Sequence, residues 1–180
     1  VPPENLKEAI SSLRTFNMKG IHLTIPHKVS VLEYLDEISS TAKTMGAVNT
    51  VMNIDGKLVG ENTDGKGFME SLKKDAKVNP AGKNIVILGA GGAARAICVE
   101  LAFANVDSIT IINRSTKRGE ELAQLLFESS NVTVDFLPWD NLLSLPSDVD
   151  ILVQATSIGL YPNKEKPSIN YDSLKPGILA

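Results

Sequence analysis

Hydrophobic positions along this chain keep changing period, and each change marks an element. Leu6, Ala9, Ile10, Leu13 and Phe16 recur every three or four residues after Pro3 and stop at Gly20, which predicts a helix. Ile21, Leu23 and Ile25 then alternate with His22 and Thr24 until Pro26, the period of a strand with His22 and Thr24 on the face opposite the aliphatics. Val31, Leu32, Leu35 and Ile38 predict a second helix, and a short segment from Ser39 closes at Gly46 as a C-cap. Two apolar runs, 48–54 and 57–60, flank Asp55-Gly56, the strongest short-range hairpin signal. A two-residue loop sets residue 54 opposite 57, so Asn49 meets Asn62 and Asp64 falls opposite Ala47. Asn49 and Asp64 therefore share the open end of one hairpin. Gly65 and Gly67 precede a connecting helix expected at about 67–77, and Asn79-Pro80-Ala81-Gly82 marks the step into a second half.

In that second half, apolar strands are expected at 84–88, 109–113, 132–136 and 150–154, with helices between them. The pattern predicts an α/β protein, a doubly wound parallel sheet over 78–180 preceded by a smaller α/β domain over 1–77. After the Pro176-Gly177 turn, Ile178-Leu179-Ala180 read as the opening of another strand. With no methionine at Val1 and a strand begun at the other end, the chain reads as a piece of a larger protein.

At 180 residues, 43% hydrophobic and 22% charged, the chain can bury a real core. Its net charge of −3 argues against a nucleic-acid partner. No apolar run approaches the roughly 18 residues of a membrane span and no signal peptide opens the chain, so cytoplasm is the expectation. Cys98 stands alone on the apolar face of a predicted helix and reads as a small buried hydrophobe. His22 and His27 lack a second ligand at metal-binding spacing, so no metal is expected.

The candidate chemistry lies in two places. The run Ile85–Leu88 ends in Gly89-x-Gly91-x-x-Ala94 and passes into a helix, the arrangement that seats a dinucleotide pyrophosphate on helix N–H groups. At the end of the second strand, where an NAD-binding protein carries an acid for the ribose 2′-hydroxyl, this chain has Asn113, followed by Arg114, Lys117 and Arg118. Cationic forks there suit the extra phosphate of NADP. In the first half, Lys28 follows the strand-ending proline, and Asn49 and Asp64 share a hairpin end. A Lys and an Asp on loops beside a nicotinamide can manage a proton while the cofactor carries hydride. The residues alone leave other readings open: Lys28 as a solvated charge, Asp64 as a helix cap, Asn49 as a turn residue. If the pair is catalytic, Lys28 leaves its strand at the hairpin edge that holds Asp64, and the glycine loop opens into the same cleft.

Six segments resemble shikimate dehydrogenases in order and spacing: Gly20-Ile-His-Leu-Thr-Ile-Pro-His-Lys28, Gly46-Ala-Val-Asn-Thr50, Asn62-Thr-Asp-Gly65, Gly89-Ala-Gly-Gly-Ala93, Asn113-Arg-Ser-x-x-Arg118 and Ala155-Thr-Ser-x-Gly159. The likeness spans essentially the whole chain but only the middle of the family's chain. The family's opening unit with its paired substrate-binding serines is absent, as are the later strands and C-terminal helices. The resemblance implies a Rossmann-like fold and reversible NADPH-dependent reduction of 3-dehydroshikimate to shikimate in aromatic amino acid biosynthesis. It implies Lys28 and Asp64 as the catalytic pair, with Thr24 and Asn49 as further substrate contacts. Gly89, Ala90, Gly91, Gly92 and Ala93 would form the pyrophosphate loop, and Asn113, Arg114, Ser115, Thr116, Lys117 and Arg118 the 2′-phosphate clamp. Thr156 and Ser157 would face the nicotinamide. The expected partners are small molecules, not nucleic acid or membrane, and the expected assembly a monomer or homodimer. Alternatives are a quinate/shikimate paralogue with relaxed cofactor use and a non-catalytic ligand-binding relative. The chain departs from the family's pattern at His22 and Gln154, where Asn is usual, which puts the local strand contacts and the loop after residue 154 in question.

Overall fold

The computed structural model describes residues 1–24, 26–140, 142–162, 164–174 and 176–179. Two compact units make up the chain, Val1–Phe68 and Met69–Ala180.

In the first unit a 3-10 turn at Pro3–Asn5 leads into helix α1 (Leu6–Thr15), with proline in the first turn, where a missing N–H costs nothing. Leu6, Ile10 and Leu13 are buried as their spacing requires. The helix does not run on to Gly20. Asn17 adopts φ 50°, a left-handed conformation that asparagine tolerates, and Phe16, which fits the helical rhythm, is 74% exposed. Strand β1 (Gly20–His22) is shorter than the alternation suggests. The Thr24 carbonyl is taken by the His27 N–H at 2.9 Å, which turns the chain into helix α2 (His27–Ser30), and Ile25 lies outside the described residues.

The helix expected through Val31, Leu32, Leu35 and Ile38 does not form. Val31–Tyr34 is a 3-10 turn, Leu35 is extended, and strand β2 (Glu37–Ile38) follows. Periodicity is overridden by one carboxylate: Asp36 Oδ2 accepts the Leu58 N–H and an Arg14 guanidinium N–H, each at 2.6 Å, which draws the segment alongside the hairpin. Helix α3 (Ser40–Met45) is capped by the Ser39 hydroxyl and closed by Gly46 at φ 64°, as read. Strands β3 (Thr50–Ile54) and β4 (Lys57–Glu61) pair from Ile54↔Lys57 to Thr50↔Glu61, every pair summing to 111 as the turn dictates. The ladder ends there; Asn49 N–H donates to the Glu61 carbonyl rather than facing Asn62. The sheet order is β1-β3-β4-β2, with only β2 and β4 parallel. Ile10, Leu13, Val31, Val48, Val51 and Leu58 fill one face, each such side chain contributing roughly 1.5–3 kcal/mol of transfer free energy.

Helix α4 (Asp64–Lys74) starts at Asp64, not near 67, despite its two glycines. The Asn62 side chain accepts the Asp64 N–H at 3.0 Å, and the Gly67 N–H already reaches the Thr63 carbonyl.

The second unit holds strands β5 (Asn84–Leu88), β6 (Ser108–Asn113), β7 (Thr133–Pro138) and β8 (Ile151–Gln154), all parallel in the order β7-β6-β5-β8. Helix α5 (Gly92–Phe103) links β5 to β6, and α6 (Thr116–Ser129) links β6 to β7. Ile85–Leu88 are buried throughout, as an internal parallel strand covered on both faces must be. Among the described residues no helix joins β7 to β8, contrary to the expected alternation. That connection instead buries Trp139, Leu145 and Val149 with Ile169 against Val86, Leu88 and Leu152, and Leu143 bridges Ile169, so irregular backbone covers the sheet there. Beyond Pro176-Gly177, Leu179 bridges Ile151 in parallel, so the expected strand opening pairs beside β8. Among the described residues no helix is long and apolar enough to cross a membrane.

Candidate active site

Lys28 and Asp64 stand in the first turns of α2 and α4, on helices rather than loops. The Lys28 carbonyl accepts the Val48 N–H at 2.8 Å, and the Leu23 N–H donates to the Asn49 carbonyl at 2.7 Å, so the segment entering α2 is stitched to the start of β3. That stitching brings Lys28 Nζ to 2.7 Å from Asp64 Oδ2, with both side chains partly covered. Asn49 Nδ2 donates to the other carboxylate oxygen, Oδ1, at 2.7 Å. The hairpin argument thus places Asn49 and Asp64 together correctly, although helix α4 rather than a continued strand delivers the carboxylate. Thr24 lies exposed just before α2 and closes its first turn through its carbonyl.

Neighbours that the spacing did not single out hold this cluster in shape. Asn49 Oδ1 accepts the Thr63 N–H at 2.9 Å and the Thr50 hydroxyl at 2.9 Å, and Thr50 Oγ1 lies 3.1 Å from His22 Nδ1. Asn62, 2% exposed, ties its amide to the Ala47 carbonyl. Glu61 gathers Ser39 Oγ, the Asn62 N–H and Lys66 Nζ on one carboxylate, binding α3 and α4 to the end of β4. Burial pulls the Glu61 carboxyl upward, but these hydrogen bonds together outweigh it and hold the group below its ordinary range.

In the second unit, Gly89 turns the chain off β5 at φ 115°, and its N–H donates to the Ile112 carbonyl. A Cβ there would lie 2.8 Å from the Ala155 carbonyl oxygen, so glycine is what lets this loop meet the segment after β8. Gly91 is the extended N-cap of α5, and a Cβ on Gly91 or Gly92 would meet nothing within 4 Å. Open space therefore lies over the unpaired N–H groups at the helix start, while Ala94 is fully buried beneath. Ala90 is half-buried and Ala93 exposed on the same loop. Asn113 closes β6 and donates from Nδ2 to the Ser115 carbonyl at 2.9 Å; the Ser115 hydroxyl caps α6. Arg114, Thr116, Lys117 and Arg118 are all exposed there, and among the described residues their one ion pair, Lys117 to Glu121, spans 4.0 Å. At the end of β8, Gln154 stands where the family resemblance leads one to expect Asn, and its side chain bonds within the loop that follows. Its Oε1 accepts the Thr156 N–H and hydroxyl, its Nε2 donates to the Ile158 carbonyl, and Ser157 sits exposed in the turn so formed.

Comparison with known proteins agrees with both halves. The shikimate dehydrogenase substrate-binding domain family matches residues 1–51, and the shikimate / quinate 5-dehydrogenase family matches residues 71–165. A shikimate dehydrogenase (NADP+) of Desulforamulus reducens is 44% identical over 98% of this chain and 62% of its own length. The crystal structure of ligand-free 5-ketofructose reductase from Gluconobacter sp. strain CHM43 superposes with a TM-score of 0.93 at 45% identity, covering 97% of this chain and 62% of that one. Shikimate 5-dehydrogenase from Listeria monocytogenes, in complex with shikimate and NAD, gives a TM-score of 0.89 at 32% identity over 99% of this chain and 64% of that one. The chain thus spans about 62% of the length of the curated relative from Desulforamulus reducens. Its Rossmann-like second unit, its Lys28–Asp64–Asn49 cluster and these matches together show that the chain belongs to the shikimate/quinate dehydrogenase family.

Proposed function

We propose that this chain carries the central part of an NADP-dependent shikimate dehydrogenase, which reduces 3-dehydroshikimate to shikimate reversibly on the route to aromatic amino acids. The observation that carries the reading is the Lys28–Asp64–Asn49 cluster, with two 2.7 Å contacts converging on one carboxylate. NADPH, when bound, supplies a hydride to the ketone carbon. The alcohol also needs a proton on the former carbonyl oxygen, and Lys28 is the group to hold it there. Asp64 orients the ammonium, Asn49 fixes the second carboxylate oxygen, and in the reverse direction Lys28 takes the proton back. Thr24 contributes a further hydroxyl for the substrate.

The cofactor fits residues present in the second unit. Loop 89–93 leaves room above the N-terminus of α5 for a pyrophosphate, and Arg114, Lys117 and Arg118, held beside Asn113 and the Ser115 cap, suit a 2′-phosphate. Thr156 and Ser157 lie on the loop that abuts Gly89 and are assigned to the nicotinamide side. On this reading the protein acts in the cytoplasm as a monomer or homodimer on small molecules, a placement supported by the soluble metabolites of the proposed reaction, and its net charge of −3 gives a polyanion no purchase.

One observation favours a second reading, the reduction of another polyhydroxy ketone: the 0.93 TM-score to a 5-ketofructose reductase. Both readings share the Lys28 chemistry and differ in substrate. Initial rates with 3-dehydroshikimate and with 5-ketofructose, and for the oxidation of quinate, each with both nicotinamide cofactors, separate them. The first reading expects 3-dehydroshikimate with NADPH to be fastest, and Lys28→Ala to lower kcat by about 10²–10⁴ while NADPH binding persists. Faster turnover of 5-ketofructose selects the second. Full turnover by Lys28→Ala overturns both.

A further inference from the structure

We propose that His22 is a positioning residue: acting through Thr50 and Asn49, and with its ring proton on Nδ1, it sets the donor pattern around Asp64. The catalytic consequence rests on the functional reading above; the hydrogen-bond logic rests on geometry.

The amide of Asn49 has one permitted orientation. Its Oδ1 lies 2.9 Å from the Thr63 backbone N–H, which can only donate, and its Nδ2 lies 2.7 Å from Asp64 Oδ1, which accepts. With Oδ1 so assigned, the Thr50 hydroxyl 2.9 Å away must donate to it. A hydroxyl has one proton. Thr50 therefore meets His22 only as an acceptor, and Nδ1, 3.1 Å distant, must carry hydrogen. The remaining neighbour of the Thr50 hydroxyl, Thr63 Oγ1 at 3.4 Å, does not compete, because the Thr50 proton is already committed. Donation runs in one direction from His22 to Thr50 to Asn49 Oδ1, and then from Asn49 Nδ2 to Asp64, whose other oxygen holds Lys28.

The backbone makes this chain rigid. His22 and Thr50 are register partners across β1 and β3, so their side chains leave neighbouring strands on the same face at cross-strand distance. If His22 presented a bare Nδ1, Thr50 would turn its proton toward the ring, and Asn49 Oδ1 would lose one of its donors. The amide that holds Asp64 would then be anchored mainly by the Thr63 N–H. An aliphatic residue at position 22 does not take the Thr50 proton, but it leaves the Thr50 oxygen without its donor and the hydroxyl less firmly held against Asn49 Oδ1. An asparagine carries an NH₂ donor and satisfies the same requirement.

The test reads the tautomer directly. Histidine ¹⁵N resonances of the intact 180-residue chain are recorded at a pH of about 8.5, above the ordinary imidazole range, with His22 assigned by the disappearance of its signals in His22→Asn. The expected result is a ring protonated at Nδ1, with that preference lost in Thr50→Val and kept in Thr50→Ser. An Nε2–H ring in the unsubstituted protein overturns the proposal. In turnover, His22→Leu should lower kcat about fivefold, the effect of one neutral hydrogen bond, with the KM for NADPH unchanged, and His22→Asn should recover most of the loss. An unchanged kcat in His22→Leu also overturns it. A protein that reduces no ketone at all refutes the functional reading, whereas the tautomer decides the role of His22 by itself.

Discussion

Alanine placed at successive glycines of loop 89–93 should produce opposite defects, because those glycines are needed for different reasons. At Gly89 the backbone sits at φ 115°, where an L side chain costs about 1–3 kcal/mol, and the new Cβ would approach the Ala155 carbonyl oxygen to 2.8 Å. That oxygen belongs to backbone tied to β5 by the Ala155 N–H to Leu88 carbonyl bond, so moving it weakens a hydrogen bond of about 1 kcal/mol as well. Gly89→Ala should therefore destabilise the second unit by roughly 2–4 kcal/mol, or about 1–2 M in urea midpoint at ordinary m-values. At Gly91 the backbone is extended and nothing lies within 4 Å of the added methyl, so Gly91→Ala should leave the midpoint within about 0.3 M. The methyl instead occupies the space assigned to the pyrophosphate, and NADPH should bind at least about tenfold more weakly, the equivalent of about 1.4 kcal/mol. Trp139, the single tryptophan and 8% exposed in the core of this unit, reports unfolding by fluorescence. Titration of NADPH into the folded variants reports binding. Gly89→Ala unfolding with the unsubstituted protein would refute the close-approach argument. Undiminished NADPH affinity in Gly91→Ala would remove the pyrophosphate from this loop.

Replacing Arg114 and Arg118 together with alanine should shift cofactor preference from NADPH towards NADH, each lost charge-assisted contact costing about 1.5–3 kcal/mol with NADPH and little with NADH; an unchanged ratio of kcat/KM values refutes the clamp. Glu61 is held below its ordinary value of 4.5, so its bonds stabilise the fold above that pH and the contribution is lost as pH falls through the folded-state value. Thermal denaturation of Glu61→Gln from pH 3 to 7 should show lower stability at neutral pH and a flatter acid limb, and parallel curves would show that the carboxylate contributes nothing. Burial pushes the Cys98 thiol up to about 12 from 9.0, so the unfolded chain ionises first and stability should fall as pH rises above 9. At neutral pH, Cys98 should react with a thiol reagent only at the rate of opening, and rapid labelling of the folded protein would contradict its burial.

Elements set by local chemistry were legible before any coordinates, and those set by one distant side chain were not. The Asp55-Gly56 turn takes positive φ at both positions, and that geometry alone dictates the whole β3–β4 register. The glycine loop and the Ser39 and Gly46 caps depend in the same way on neighbours in sequence, while the all-parallel sheet, whose partners are distant, was legible from the alternation of apolar strands with helices. The segment after Val31 does not: its helical periodicity is real, yet Asp36 finds Arg14 and the Leu58 N–H, 22 residues away on either side, and the two residues after it form a strand. Likewise the β7–β8 connection buries Trp139 and Leu145 on Ile169 without a helix, because a bridge from Leu143 supplies the backbone partner a helix would otherwise provide.

The candidate site divides along the same line, and the division has a physical cause. Asn49 and Asp64 were brought together by counting from a turn, which fixes positions on a strand but not the groups that orient a side chain. Orientation comes from Thr50, Thr63, Asn62 and Glu61, residue types common in any loop, whose roles become visible only when their donors and acceptors are counted at known distances. Gln154 makes the point from the other direction: the family resemblance leads one to expect Asn there, yet the Gln154 side chain reaches both Thr156 and the Ile158 carbonyl and closes its loop. A motif records which groups a site needs. Whether a substituted residue still serves depends on where its donors and acceptors end, and at His22 and Gln154 they end on partners that complete the network.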